Sequence, residues 1–195
     1  MTLRRFNNIF SIIIVVFAAY ILAAPFLGGI SFWWQKMTNK TGGYVYETNL
    51  KVADDSQNLK AIPQDNRLVI PGMLLDQGIF EGAYAGTLDK GLWHRPGTST
   101  PDKGGNTVIA GHRFAYGANT PFYHLDKLRQ GDKFSVYWEG KEYNYQVRNI
   151  LTVDPNALNI ENNTTEPMIT LYTCTPLWTS NKRLVIQAVQ IKDQV

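Results

Sequence analysis

A single cysteine, Cys174, stands among the 195 residues. That scarcity excludes an intramolecular disulfide, so a domain exported to an oxidising compartment would have to be stable without one. It also leaves one thiol free for chemistry. Charge of one sign is equally scarce: the net charge is only +3 and the charged residues are scattered, which gives no basic groove for a nucleic acid. Internal repeats and low-complexity tracts are lacking, which excludes the repeat architectures. The length allows one well-buried domain with an appendage, and not two large domains.

One further absence locates the appendage. No charged residue lies between Phe6 and Gln35, and Ile9 to Leu27 is almost continuously apolar. As a helix that run would be roughly 28 Å long at about 1.5 Å per residue, close to the hydrocarbon thickness of a bilayer. Arg4 and Arg5 precede it, which by the positive-inside rule keeps the N-terminus in the cytoplasm and sends the rest outside. A cleaved signal peptide is the rival reading. Pro25 directly after Ala23-Ala24 is a poor setting for cleavage there, so an uncleaved anchor is favoured. Trp33 and Trp34 then fall at the outer interface. The expected organisation is a cytoplasmic N-terminus over 1–8, a transmembrane signal anchor over 9–30, a linker over 31–61 and a folded domain over 62–195. Within the linker a short helix is expected near Val52–Lys60.

What the chain does have, in its second half, is aromatics with recurring Gly and Pro, the mark of a turn-rich β domain. Phe134, Val136 and Trp138 alternate with polar or amphipathic positions. Glu139-Gly140-Lys141 makes a turn, and Tyr143, Tyr145 and Val147 alternate on the way back, which predicts a hairpin. Further strands are predicted at Leu68–Ile70, Ile79–Glu81, Thr107–Gly111, Met168–Cys174 and Leu184–Ile191. A short helix is predicted over Pro121–Leu128, with Thr120 as its N-cap. Leu151–Pro167 reads as a polar loop. Short strands between Gly/Pro turns predict a closed barrel or a sandwich.

Cys174 ends the run Ile169-Thr170-Leu171-Tyr172-Thr173-Cys174, and Arg183 opens the next apolar run, Leu184-Val185-Ile186. A cysteine nucleophile needs a base or counter-cation that favours the thiolate, and positive or N–H-rich surroundings for the developing oxyanion. Three histidines are available, His94, His112 and His124, and composition does not choose among them. His112 follows an apolar strand ending in Gly111, from which its ring could project into a cleft; His94 and His124 sit in loop-like or helical surroundings. Each residue alone also has a plain structural reading, since a lone cysteine is more often a small buried apolar side chain than a catalyst.

Together these residues resemble the sortase family. The segment Thr170-Leu171-Tyr172-Thr173-Cys174 followed by Arg183 resembles the family's TLxTC…R signature. Leu92-Trp93-His94-Arg95-Pro96-Gly97-Thr98, Gly104-Gly105-Asn106 and Ile109-Ala110-Gly111-His112-Arg113 resemble its H-x-P-G-T, G-N and AGHR stretches. Asn66 to Pro71, Glu81-Gly82 and Phe122 to Asp132 match further segments in the family's order. The resemblance covers about Ile62 to the C-terminus. It implies a mainly β fold, a sortase-like eight-stranded closed β-barrel with short helices. With it comes the activity of a membrane-anchored cysteine transpeptidase, its N-terminus cytoplasmic and its catalytic domain outside the bacterial cell membrane.

Carried over by residue, Cys174 would be the nucleophile, His112 the general acid/base and Arg183 the stabiliser of the oxyanion or positioner of substrate. Thr173 would help position substrate and oxyanion. His94 and His124 match no catalytic position. The implied partners are secreted proteins with a C-terminal LPxTG-like sorting signal and an amine acceptor, either a peptidoglycan precursor or a pilin lysine. No cofactor is implied; some sortases are stimulated by calcium through acidic loop residues, and Glu161 and Glu166 lie in a corresponding loop, but two carboxylates fall far short of a recognisable site. The segment Val153–Met168 corresponds to the loop that helps form the family's substrate groove.

Rival readings are a pilin-polymerising sortase, a membrane-tethered barrel that binds without turnover, and an L,D-transpeptidase. The last typically carries Gly directly before the cysteine, where Thr173 stands here. The nine-residue step from Cys174 to Arg183 occurs in pilin-polymerising and some housekeeping-like classes. No Asp-Pro-aromatic lid motif precedes the domain, which favours a lidless housekeeping-like or class E-like member.

Overall fold

The computed structural model describes residues 8–21, 62–115 and 119–191. They belong to two units, one within Met1–Gly42 and one within Gly43–Val195. In the first, residues 8–21 form an α-helix with exposed side chains. Among the described residues no helix is long and apolar enough to cross a membrane. The anchor expected over 9–30 continues beyond that helix, and its residues 22–30 lie outside the described residues. So do the linker and the short helix expected near Val52–Lys60.

In the second unit the expected hairpin is present. Strand β5 (Lys133–Trp138) pairs with β6 (Lys141–Val153) so that Trp138 faces Lys141 and Phe134 faces Tyr145, whose rings stack at 5.8 Å. Glu139 and Gly140 form the two-residue turn with φ of 49° and 72°. Positive φ at both central positions gives the twist that antiparallel strands require, and glycine adopts it without steric cost. The alternation was only half right about burial. Ser135 and Tyr137 are buried as well, and the Ser135 hydroxyl donates to Asn144 Oδ1 at 2.7 Å.

The other strands are β1 (Arg67–Ile70), β2 (Leu75–Glu81), β3 (Leu92–His94), β4 (Asn106–Ala110), β7 (Met168–Thr175) and β8 (Lys182–Ile191). They close into one barrel in the order β1-β2-β3-β4-β7-β8-β6-β5, with β5 returning to β1. Closure leaves no free sheet edge, and it resolves the expected choice between barrel and sandwich. Leu68, Ile70, Ile109, Leu171 and Ile186 are fully buried in the core. Two pairings are parallel, β2 with β3 and β4 with β7. The second one shapes the active end, because it lays β4 beside the strand that carries the thiol.

Four details correct the sequence reading. Strand β3 was missed: three residues are too short to show a period, yet Leu92, Trp93 and His94 are all buried. Strand β6 runs to Val153, beyond the start of the expected loop, because its far half pairs with β8 along one exposed flank. That exposure made it read as polar loop. The remainder of the loop contains a 3-10 turn, Leu158–Glu161. The helix expected over Pro121–Leu128 is reduced to turns and a 3-10 helix, Leu125–Lys127, whose N-cap is His124 rather than Thr120.

Candidate active site

The register of β4, β7 and β8 assembles the site. Cys174 sits directly opposite Arg183 in the antiparallel β7–β8 ladder, a position in which side chains on one face have Cβ atoms about 4.5–5.5 Å apart. Val153 at the end of β6 flanks Arg183 on its other side. On the opposite side of β7, the parallel ladder with β4 runs from Asn106 facing Met168 to Ala110 facing Tyr172. His112, two residues past the end of β4, and Cys174 share the sequence offset of that ladder. Gly111, between the strand and the histidine, has to be small: a Cβ there would lie 2.7 Å from the Phe122 ring and 3.0 Å from Leu92.

His112, Cys174 and Arg183 line one cleft of about 260 Å³. The thiol is free and half-buried. Nε2 of His112 lies 3.6 Å from Asp89 Oδ1, a carboxylate that is 74% exposed, a separation too long for a hydrogen bond. The Arg183 guanidinium donates through Nη1 to the carbonyls of Ser180 and Lys182, at 3.1 and 3.0 Å. These two bonds fix the guanidinium against the backbone at the start of β8, on the strand position opposite the thiol. A thiol, an imidazole and a guanidinium along one cleft can supply a nucleophile, a proton carrier and an oxyanion partner.

Thr173 takes another direction. Its hydroxyl is buried and donates to the Gly111 carbonyl at 2.7 Å, tying the nucleophile strand to the residue before His112. The other two histidines do not line the cleft. His94 is buried, with Nδ1 2.7 Å from Glu81 and Nε2 2.9 Å from the Ser99 carbonyl. Burial, foremost, holds the His124 ring below the ordinary histidine range.

The lining of the cleft also contains a charged group whose pairing the sequence did not show. Arg95 Nε donates to Glu161 Oε1 at 2.9 Å, the Tyr172 hydroxyl donates to the same oxygen at 2.8 Å, and Arg95 stacks 4.3 Å over the Trp93 ring. Burial, then the bond to Glu161, pushes the Tyr172 phenol far above its usual range, so it stays a donor. Residues 95 and 161 are too far apart in the chain for any local pattern to have paired them. Glu161 ends the 3-10 turn of the β6–β7 connection, in which Ala157, Leu158 and Ile160 supply the apolar lining. Buried Asn106 holds the same segment by donating through Nδ2 to the carbonyls of Ile160 and Asn162, both at 3.0 Å.

Glu166, the second acidic residue of that connection, pairs instead with Arg148 at 2.6 Å. The two carboxylates considered for calcium are thus each engaged by a different arginine. Among the described residues no group of three or more His, Cys, Asp or Glu side chains could hold a metal ion.

A closed barrel presenting these three side chains at the ends of β4, β7 and β8 has the layout of a cysteine acyl-transfer enzyme. The chain belongs to the sortase family: the sortase domain model matches residues 68–191. It is 32% identical over 131 residues to sortase SrtE1 of Streptomyces coelicolor, an alignment covering 62% of this chain and 34% of that protein. Among solved structures it is similar to sortase C1 of GBS Pilus Island 1, with 30% identity and a TM-score of 0.61 over 66% of this chain and 65% of that one. A lid mutant of sortase A from Corynebacterium diphtheriae matches with 28% identity and a TM-score of 0.61, over 67% and 71%. The chain spans between a third and just over half of the length of the curated relatives it matches.

Proposed function

We propose that this protein is a membrane-anchored cysteine transpeptidase that cleaves a C-terminal LPxTG-like sorting signal and joins the released carbonyl to an amine of the cell envelope. One observation carries the reading: Cys174, His112 and Arg183, brought from the ends of three strands, share one cleft. The Cys174 thiolate attacks the carbonyl carbon of a Thr–Gly-type bond while Arg183 N–H groups receive the developing oxyanion, a contribution of about 3–4 kcal/mol per donor in comparable sites. His112, holding the proton taken from the thiol, gives it to the departing amine as the C–N bond breaks. The thioester then accepts an incoming amine, whose proton passes to His112 as the thiolate leaves. Water in place of the amine gives hydrolysis. Thr173 contributes by fixing the His112 segment through Gly111.

The apolar residues of the β6–β7 connection, Ala157, Leu158 and Ile160, supply a wall for the signal's own apolar side chains, which supports Val153–Met168 as the specificity segment. The uncharged stretch from Phe6 to Gln35 behind Arg4 and Arg5 supports anchoring, with the catalytic domain outside the cell membrane. Similarity to the sortase C1 of a pilus island supports a second acceptor, a pilin lysine, for this chain too. Incubating the protein with LPxTG-like peptides and either a peptidoglycan-type amine or a lysine peptide tests the reading. A thioester on Cys174 by mass spectrometry, lost in Cys174→Ala, is expected, and transfer to one amine identifies the acceptor. Peptide cleavage that persists in Cys174→Ala would refute the mechanism.

A further inference from the structure

The backbone ladder between β4 and β7 stops short of the Cys174–His112 pair. Its last rungs are Ala110 opposite Tyr172 and the Gly111 amide donating to the Tyr172 carbonyl at 3.3 Å. Beyond that point two side chains continue it. The Thr173 hydroxyl donates to the Gly111 carbonyl at 2.7 Å, and Arg113 Nη1 donates to the Thr175 hydroxyl at 2.7 Å. Both bonds join residues 62 apart in sequence, the offset of the ladder itself. His112 and Cys174 lie between these two rungs and share that offset.

The second rung is costly to build. The Arg113 side chain is only 8% exposed, its Nε has no hydrogen-bond partner, and its countercharge, Asp126 Oδ2 at 3.2 Å, is half-exposed. Burying a guanidinium in this way is a poor route to stability. Its reach from the residue after the imidazole to the residue after the thiol points to geometry as its use. We propose that Arg113 and Thr175 form a side-chain rung that fixes the separation of His112 and Cys174, so that both are positioning residues for the transfer reaction. This rests on the transpeptidase reading above. The rung touches neither substrate nor reacting atoms; it acts by holding the two peptides between which proton and acyl group must pass, where displacement by about 1 Å can cost on the order of 10²-fold in rate.

The test is single-turnover thioester formation with an LPxTG-like peptide, using the full chain. Thr175→Val removes the hydroxyl and keeps the shape; Thr175→Ser keeps the hydroxyl. Thr175→Val is expected to slow acylation at saturating peptide roughly 10- to 100-fold, with KM for the peptide within about twofold and the melting temperature unchanged, while Thr175→Ser restores most of the rate. Arg113→Lys, which keeps the charge and loses the fork, is expected to slow it similarly. An unchanged rate in Thr175→Val, an equal loss in Thr175→Ser, or a loss carried by KM would each overturn the proposal. A wild-type chain that forms no thioester would overturn the transpeptidase reading and this proposal with it, and that failure is distinguishable because it shows in the unmutated protein.

Discussion

At the scale of single residues, Arg183 and Cys174 form a cross-strand pair whose cation is held in place by two backbone carbonyls. On the proposed mechanism, replacing Arg183 by Met removes the charged partner of the oxyanion and keeps the thiol. Acylation of Arg183→Met is expected to fall about 10²–10³-fold with a small change in KM, measured by quenched thioester formation. His124 provides a pH signature of its own. Burial lowers its folded-state pKa below the unfolded value of about 6.5, so the folded protein binds fewer protons there than the unfolded chain. Its contribution to stability is therefore complete above pH ~6.5 and is lost as pH falls towards the lowered value. In His124→Gln, thermal unfolding measured from pH 5 to 8 should show a flatter decline on the acid side than wild type. An identical acid slope would contradict this.

At the scale of elements, the β6–β7 connection lines part of the cleft, and it is tied down at two places. Asn106 holds its backbone by neutral bonds, and Arg95 with Tyr172 holds Glu161 by charge. Breaking the charged tie should loosen the wall without moving the thiol. Glu161→Ala is expected to raise KM for the signal peptide roughly tenfold, the equivalent of about 1.4 kcal/mol, and to speed proteolytic cleavage within 154–167, with the limiting rate little changed. Steady-state kinetics and limited proteolysis check both. A fall in the limiting rate with KM unchanged would place Glu161 in the chemistry instead. This group was illegible in the sequence because its three side chains come from the end of β3, a 3-10 turn and β7, and only barrel closure makes them neighbours. Strand β3 was illegible for a different reason: hydrophobic alternation cannot register in three residues that are buried on both faces.

At the scale of the whole molecule, one core supports the site. Leu171 is fully buried on β7, three residues before Cys174, and its neighbours on both sides belong to the parallel and antiparallel ladders that set the register of the candidate site. Leu171→Ala is expected to cost about 2–5 kcal/mol in folding free energy, read by urea denaturation, and to lower activity only in proportion to the unfolded fraction when assayed below the transition. Retention of wild-type stability would mean that this region of the barrel is not close-packed.

The hairpin and most of the strands could be read from the linear chain, and Cys174, His112 and Arg183 were singled out there, His112 among three histidines through the family resemblance. Thiol, imidazole and guanidinium each stand at the boundary of an apolar run, and such runs are local features of the chain. The uncharged N-terminal stretch is local in the same sense. Tertiary structure decided everything that depends on register between strands distant in sequence. It directed the Thr173 hydroxyl to the Gly111 carbonyl, and it joined Arg113 to Thr175 and Arg95 to Glu161. It also extended β6 to flank Arg183. These are contacts of low local signal, because a polar side chain carries no mark of its partner until the barrel closes and desolvation demands one.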